Sequence, residues 1–283
     1  MKLDRNTILF NAGGGLAVAI VGIYFLQTTL NPTKAPPCSQ GYEQLTQLPL
    51  EHSGGDLFTA ADLQARLAGR DFGVLDNTRV LRVRGEKSAV LEIDLPKGSL
   101  GPRYGGPVKG GIAFQWRPSK LEQANAVCLS YSVWFPADFD FKRGGTLPGI
   151  YGTGDAGRDD KPIFAVRYMW RDAGKSELLM TLPTDGTSRN STIEPESYKL
   201  QPGKWTKLEQ EIVLNTPGRK DGKVRVWVDG MLVIDRPQMI LRENDGIMFG
   251  GVQADAHYGG NDSSFLAPRD TKIRMTAFEV RMR

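Results

Sequence analysis

The sequence is poor in the residues from which metal and redox centres are built. Its 283 residues include two histidines, His52 and His257, and two cysteines, Cys38 and Cys128. These four residues lie far apart, without the spacing of a ligand set. The chain also lacks a G-x-S-x-G nucleophile motif, a phosphate-binding loop and a dinucleotide fingerprint. We therefore expect neither a metal site nor a cofactor.

The sequence also lacks blocks of like charge, low-complexity tracts and internal repeats. The net charge is +4 and the pI is about 9.0, and the cations are scattered along the chain. A scattered, mildly basic balance does not support nucleic-acid binding, but it suits an acidic partner. The length is that of one large all-β domain or of two ordinary domains.

Charge is absent from one segment, Asn6 to Thr33. Its mostly apolar part, Thr7 to Leu30, is long enough to span a bilayer, which needs about 20 residues. The preceding cations, Lys2 and Arg5, predict a cytoplasmic N-terminus and an inner-membrane, single-pass protein whose C-terminal domain is periplasmic or extracellular. A cleaved signal peptide is the alternative. The sequence favours an uncleaved anchor, because Thr33-Lys34-Ala35 before a proline is a poor cleavage site.

Three segments are predicted: a cytoplasmic tip with the anchor (1–33), a Pro-rich linker (34–40) and one domain (41–283). Cys38 in the linker could pair with Cys128 in an oxidising compartment. Alternatively, Cys128 is a buried small hydrophobe and Cys38 is free. The spacing favours neither reading.

From about Val80 the apolar residues alternate with period two, which predicts strands. A single short helix, with Thr59 as its N-cap, precedes them. Strands at regular spacing, separated by turn signals, predict an all-β antiparallel sandwich. The predicted strands are Val80–Arg84, Val90–Leu95, Gly111–Arg117, Cys128–Phe135, Ile163–Arg171, Glu177–Leu182, Trp205–Leu214, Val224–Asp229, Leu232–Asp235 and Thr271–Arg283, the last with a bulge near Ala277.

One glycine-rich stretch, FDFKRGGTLPGIYG (Phe139–Gly152), reads as a bent loop beside a strand. It is either a surface turn with solvated charges or a rim that presents Lys142 and Arg143 to an anionic ligand. His257 and Tyr258 likewise open a Gly-rich loop. Imidazole and phenol transfer protons in many enzymes, although a loop histidine is often only a surface residue.

Several polar side chains share a strand face. Arg167 and Arg171 have the same parity on Ile163–Arg171, and guanidinium groups bind carboxylates. Gln115 and Arg117 have the same parity on their strand. Trp134 stands on an otherwise polar face, which suits stacking on a sugar ring. A solvated outer face, or packing of the tryptophan under a loop, is the alternative.

Taken in order, several segments resemble one enzyme group. They are LPKGS (from Leu95), LSYSVWFPADFDFKRGGTLPGIYG, VRYMWR, WTKLEQEIVLNTPG, VRVWVDGMLVI and HYGGNDSSFLAPRDT. The series, from about Val80 to Arg283, resembles the polysaccharide lyase superfamily that contains the alginate lyases of family 14 and the glucuronan lyases of family 20. The resemblance implies a β-jelly-roll (concanavalin-like) with a cleft across a concave sheet. It also implies β-elimination on uronate chains, which needs a group that neutralises the carboxylate, a base and an acid.

Of the candidate residues, the resemblance itself carries over Arg167, and we predict the other roles from the residues of this sequence. Arg167 falls on the family's strand arginine and, with Gln115, would neutralise the carboxylate, while His257 or Tyr258 would move protons. Substrate contacts would come from Lys142, Arg143, Thr146, Arg171, Trp134 and Arg117. We expect Arg167, Gln115, Trp134 and His257 to share one concave surface.

The sequence departs from the family at four positions. Thr146 replaces a lysine, Ala165 a serine, and Leu179 and Thr181 a pair of tyrosines. The first hypothesis is a membrane-anchored polysaccharide lyase acting on an acidic exopolysaccharide. The second is a non-catalytic glycan-binding jelly-roll that serves polysaccharide secretion or surface attachment. A purely structural envelope module is the third.

Overall fold

A computed structural model describes residues 35–154, 162–184, 187–195, 198–260 and 262–283. One compact unit extends from Pro37 to Arg283. The predicted membrane anchor, residues 1–33, lies outside the described residues. Among the residues that are described, no helix has both the length and the apolar character needed to cross a membrane.

Strands dominate the described residues. Two short helices, α1 (Ala60–Gln64) and α2 (Val74–Asn77), accompany sixteen strands in this part of the chain. The strands are β1 (Gln44–Gln47), β2 (Ala68–Phe72), β3 (Thr78–Leu81), β4 (Val90–Leu95), β5 (Ile112–Trp116), β6 (Ala126–Trp134), β7 (Gly145–Thr153), β8 (Phe164–Trp170), β9 (Ser176–Thr184), β10 (Thr187–Ile193), β11 (Trp205–Val213), β12 (Gly222–Val228), β13 (Met231–Met239), β14 (Met248–Tyr258), β15 (Thr271–Thr276) and β16 (Glu279–Met282). Short 3₁₀ turns lie at Cys38–Gln40, Leu121–Gln123, Asp172–Gly174 and Ser263–Phe265.

The strands form two sheets, in which the described pairs are antiparallel. The back sheet has the order β13-β12-β11-β6-β15-β4-β3, with β16 also paired to β6, and β1 paired to β16. The front sheet has the order β10-β9-β8-β7-β14-β5-β2. The predicted all-β antiparallel sandwich is therefore confirmed.

Each sheet turns one face inward, as the period-two pattern predicts. On β8, Phe164, Val166, Tyr168 and Trp170 belong to the buried core. Arg167 therefore lies on the opposite, outer face. The outer face of the front sheet is the surface on which the candidate site lies.

Local signals predicted several connections correctly. Thr59 caps α1 in a capping box with Asp62. Asp229 and Gly230, both with positive φ, join β12 to β13 in a tight hairpin. The phase flip near Ala277 separates β15 from β16 and keeps the apolar residues on both sides of it in the core.

The prediction of a loop over Phe139–Gly152 is wrong for most of its length. Residues 145–153 form β7, a fully buried strand between β8 and β14. Its glycines serve close packing rather than turning. A Cβ at Gly145 would lie 2.0 Å from the Trp170 ring, and one at Gly149 would lie 1.9 Å from the Val166 carbonyl oxygen. Only the part before Gly145 turns, with Lys142 at φ +48°.

The N-terminal part of the compact unit is bound to the back sheet. Cys38 forms a disulfide with Cys128 on β6, which resolves the alternative that the sequence left open. The backbone N–H of Ser39 donates to Glu209 (3.2 Å), and the Tyr42 hydroxyl donates to Glu211 (2.8 Å). These contacts give hydrogen-bond donors to two buried carboxylates on β11.

Candidate functional site

His257 lies on a strand, not in the Gly-rich loop that the sequence suggested. It is the penultimate residue of β14. Ala254, Ala256 and Tyr258 belong to the core, so the residues between them point to the outer face of the front sheet. Alternation on β14 thus places Gln253, Asp255 and His257 on one face.

A buried ion pair forms the centre of this face. Arg167 Nη1 donates to Asp255 Oδ2 at 2.7 Å, and the two side chains are 21% and 2% exposed. Gln253 Nε2 donates to the same oxygen at 2.7 Å. Arg103 approaches the other oxygen, Oδ1, at 3.8 Å. The carboxylate of Asp255 therefore fixes the position of the arginine that the family resemblance selects.

Sequence reasoning missed Asp255 and Gln253. A signal was present, because QADAH alternates polar with small apolar residues. Gly250 and Gly251, the third and fourth residues of this strand, are residues that sequence rules treat as turn signals. In the structure, a Cβ at Gly250 would lie 2.3 Å from the Tyr151 ring, so this glycine also reflects close packing.

Three buried polar atoms on this face have no hydrogen-bond partner among the described residues. They are Nε of Arg167, Oε1 of Gln253 and Oγ1 of Thr146. Folded proteins rarely leave such atoms unpaired, and the exceptions concentrate at sites with a functional role. Their presence on one face agrees with a polar binding surface there.

Gln115 is held on the same face by a hydrogen-bonded chain. The Tyr151 hydroxyl donates to Gln115 Oε1 at 3.1 Å and accepts from Arg117 Nε at 3.0 Å. Gln115 is the register partner of Gln253, and Gln253 and Arg167 are both register partners of Gly149 on β7. The structure thus places Gln115 and Arg167 in one row across the front sheet.

His257 is half-buried and has one ring nitrogen already engaged. Nδ1 lies 2.6 Å from the Tyr258 carbonyl oxygen, a geometry that assigns the proton to Nδ1 and leaves the Nε2 lone pair as an acceptor. Burial lowers the pKa of His257 below its usual 6.5, although the nearby Asp255 opposes this shift. The imidazole is therefore neutral near pH 7.

The chain before β7 lies near the same end of the sheet. The backbone N–H of Gly259 donates to the Gly144 carbonyl (3.2 Å), and Thr146 is the register partner of His257. The cations of this turn have partners. Lys142 is 4.0 Å from Asp140, and Arg143 donates to Ser264 (2.9 Å).

Two further contacts restrain the predicted cations at this end of the sheet. The guanidinium of Arg143 stacks on Phe265 at 4.7 Å from the ring centroid. Arg171 forms a bidentate ion pair with Glu177, in which Nε and Nη2 donate to the two carboxylate oxygens. Each of these cations thus lies beside a carboxylate that offsets its charge.

The prediction that Trp134 shares a surface with Arg167, Gln115 and His257 is wrong. Trp134 ends β6 in the back sheet, where it pairs with Trp205 and Arg274. The parity of its strand was correct, and its side chain does point outward. Strand parity, however, cannot tell which of two sheets a strand joins.

The prediction that Tyr258 transfers protons is also wrong. Its side chain points into the core, stacks on Phe139 and donates to the Asp140 carbonyl oxygen at 2.6 Å. Burial raises the pKa of its hydroxyl. Because neighbours on a strand face opposite ways, His257 and Tyr258 cannot serve the same site.

The departures from the family pattern surround Arg167. Leu179 on β9 is its register partner, and Ala165 with its own partner Thr181 forms the next outward pair. Thr181 Oγ1 is 2.9 Å from Asn190 Oδ1. The positions at which the resemblance predicts hydroxyl groups for proton transfer are therefore apolar or engaged elsewhere.

Comparisons with known proteins agree with this architecture. An alginate lyase of family PL-14 from Aplysia kurodai has a TM-score of 0.67 at 22% identity, over 86% of this chain and 99% of that chain. An alginate lyase from Chlorella virus has a TM-score of 0.66 at 19% identity, over 84% and 99%. An endo-β-1,4-glucuronan lyase from Trichoderma reesei has a TM-score of 0.55 at 10% identity, over 86% and 96%. At these identities the solved structures establish the jelly-roll fold alone.

No curated protein matches the sequence. The family model described as polysaccharide lyase 14, however, matches residues 84–278. This range contains most of both sheets and every residue of the outer-face site described above. The chain belongs to the polysaccharide lyase 14 family, one of the two families that the ordered series of motifs resembles.

Proposed function

We propose that this protein cleaves a uronate-containing polysaccharide by β-elimination on the outer face of the front sheet. The observation that carries the proposal is the grouping of Arg167, Asp255 and His257. Arg167 bonds Asp255 at 2.7 Å, and His257 follows Asp255 by two residues on the same strand face. A guanidinium that can bind the substrate carboxylate and a neutral imidazole therefore lie close together on this face.

Arg167 and Gln115 would neutralise the uronate carboxylate. Elimination removes the proton at C5, next to that carboxylate, and negative charge then develops on the carboxylate oxygens. A guanidinium that is already oriented stabilises such charge without having to reorganise. The carboxylate of Asp255 orients Arg167, and Arg103 places a second cation next to that Asp255 carboxylate.

His257 would move the protons. Its Nε2 lone pair accepts the C5 proton, and the resulting imidazolium can return a proton to the leaving glycosidic oxygen. The carbon–oxygen bond then breaks and a C4–C5 double bond forms, with no net change in protonation of the enzyme. The lowered pKa of His257 keeps the base in its neutral form at pH 7.

We also propose that the protein is anchored in the inner membrane with the lyase domain outside the cytoplasm. The charge-free segment after Lys2 and Arg5 supports this location. The Cys38–Cys128 disulfide supports it as well, since disulfides persist in oxidising compartments.

A non-catalytic glycan-binding role is the second candidate. It is favoured by the residues around Arg167, where Leu179 and Ala165 replace groups that could transfer protons. Under this hypothesis Arg167 would still bind the carboxylate, but no bond would break.

Ultraviolet absorbance separates the two candidates, because only elimination creates the unsaturated uronate. Purified full-length protein would be incubated with a panel of polyuronates and acidic bacterial exopolysaccharides. We expect absorbance to rise with at least one polymer. Retention on an acidic-glycan affinity gel without any rise in absorbance would establish the binding module instead.

A matched pair of variants tests the assignment of the base. His257→Gln should reduce turnover by about 100-fold or more, the range of general base catalysis. Tyr258→Phe should leave turnover unchanged, since its hydroxyl bonds a core carbonyl. Equal loss in both variants would show that the strand end matters only for folding.

A further inference from the structure

The outer face of the back sheet places two tryptophans and an arginine side by side. Trp134 on β6 stands opposite Trp205 on β11 and opposite Arg274 on β15. Residues that are directly paired across strands point to the same face. Both indoles are half-buried. We call these three residues the back-face platform.

The platform retains unused binding groups. The Arg274 guanidinium lies 4.8 Å from the centre of the Trp134 ring, and its Nε donates to Glu92 at 2.7 Å. Within the described residues, its two Nη atoms have no hydrogen-bond partner, and the Trp205 indole makes no ring contact or side-chain hydrogen bond. The half-buried Trp205 indole and the guanidinium of Arg274, a side chain that is 21% exposed, therefore have groups that a ligand could contact.

A polar groove of about 510 Å³ adjoins the platform. The groove opens at the junction of β15 and β16. Three residues, Thr276–Phe278, bulge there opposite only two residues of β6, Tyr131 and Ser132. Its lining includes Ser132 and Lys207. These two are register partners, one outward position along from Trp134 and Trp205. Groove and platform thus form one continuous surface.

Charged side chains of both signs border this surface. Glu92, buried beside the platform, pairs with Arg79 at 2.8 Å, Arg274 at 2.7 Å and Lys272 at 3.4 Å. The groove lining includes Lys87 but also Glu86 and Glu279. Lys207, half-exposed, adds another cation, 3.3 Å from Glu209. The guanidinium of Arg274 and the ammonium of Lys207, beside two half-buried indoles, suit a ligand that combines a sugar ring with a carboxylate.

We propose that the back-face platform and its groove form a second, non-catalytic binding surface for a glycan chain that bears carboxylates. The indole of Trp205 provides the stacking surface for a sugar ring, and Arg274 and Lys207 provide donors for its carboxylate. The groove volume lies within the range of small-molecule sites. This surface lies on the sheet opposite Arg167 and does not depend on catalysis at the front sheet.

Tryptophan fluorescence tests the proposal on the full-length protein. The other three tryptophans, Trp116, Trp170 and Trp227, are 6%, 0% and 1% exposed, so quenching by iodide reports on Trp134 and Trp205. Oligoglucuronate should reduce the quenching constant several-fold, while a cello-oligosaccharide of equal length should not. Absence of protection by either probe would overturn the proposal. Equal protection by both would overturn its carboxylate specificity.

Affinity electrophoresis in a polyuronate gel then assigns the surface. In an Arg167→Ala background, which weakens the front-sheet site, Trp205→Ala with Arg274→Gln should weaken retardation at least fivefold. Trp205→Phe, which keeps an aromatic ring, should retain most of it. If Trp205→Ala with Arg274→Gln leaves the retardation unchanged in this background, the proposal of a binding surface on the back sheet is refuted. This holds whether or not the front sheet proves to be catalytic.

Discussion

The Arg167–Asp255 ion pair gives the sharpest test of the candidate site, because stability and activity should respond differently. Arg167→Met leaves the carboxylate of Asp255, which is 2% exposed, without its main partner. Removing one member of a buried pair costs about 3–5 kcal/mol. We expect about 3 kcal/mol, the lower end of that range, because Arg167 is 21% exposed and Arg103 still approaches Asp255 at 3.8 Å.

A double variant should recover most of that loss. Arg167→Met with Asp255→Asn removes both charges and keeps an amide that Gln253 can bond. Neutral replacement of a buried ion pair is often close to neutral in stability, so we expect the double variant within about 1 kcal/mol of the wild type. The two substitutions should therefore couple by about 2–3 kcal/mol, as contacting residues do.

Urea unfolding of the full-length protein, followed by tryptophan fluorescence, measures these free energies if the slope m is unchanged between variants. Arg143→Met serves as a control, since it removes a solvent-exposed pair with Asp262 along with the Ser264 and Phe265 contacts, and it should lower the free energy of unfolding by no more than about 1 kcal/mol. Turnover is measured on the same samples by ultraviolet absorbance. The double variant should be folded yet at least about 100-fold slower, because the charge that stabilises the enolate-like transition state is gone.

Two results would refute this reasoning. A loss below about 1 kcal/mol in Arg167→Met would be typical of an exposed pair and would show that the pair is not buried in solution. Wild-type turnover in the stable double variant would remove Arg167 from the site altogether.

Three further predictions concern pH, the disulfide and the glycines of β7. Because burial holds the pKa of His257 below 6.5, elimination should persist down to pH 6.5 and fall only on further acidification. The unfolded chain takes up that proton first, so stability should also decline as pH falls below about 6.5, and less steeply in His257→Gln. Cys38→Ser combined with Cys128→Ser removes a disulfide that joins residues 90 apart in sequence. The free energy of unfolding in urea should then fall by about 4.6 kcal/mol, as the chain-entropy relation gives. The protein that remains folded should retain its turnover. Gly149→Ala places a Cβ 1.9 Å from a backbone carbonyl oxygen and should destabilise the protein by about 3 kcal/mol or more, measured by thermal unfolding. Gly54→Ala is the control, since its Cβ would have nothing within 4 Å, and it should change thermal unfolding little. Similar effects in both variants would refute the packing explanation.

Local sequence patterns determined much of the fold. Alternation fixed which face of β8 carries Arg167, because side chains on a strand point alternately to the two sides. The parity change near Ala277 and the capping box at Thr59 are equally local signals, and the structure contains both. The order of the motifs along the chain was sufficient to identify the lyase superfamily that contains families 14 and 20, since this order does not depend on how the strands pair.

Strands rich in glycine could not be recognised from sequence. In β7 and at the start of β14, glycine marks places where a large side chain or a backbone carbonyl of a neighbouring strand approaches too closely for a Cβ. Sequence rules treat the same residues as turn signals. His257 was placed in a loop because Gly259 and Gly260 follow it, and Asp255 was not considered.

The sequence by itself determined that the protein is an all-β sandwich of the polysaccharide lyase 14 family, with Arg167 on an outward strand face. The tertiary structure alone decided which outward residues meet. It brought Arg167, Asp255, Gln115 and His257 onto the front sheet, turned Tyr258 into the core and placed Trp134 on the back sheet. The physical reason is that facing within a strand follows from local stereochemistry, whereas sheet membership depends on long-range pairing and on how the two apolar faces pack.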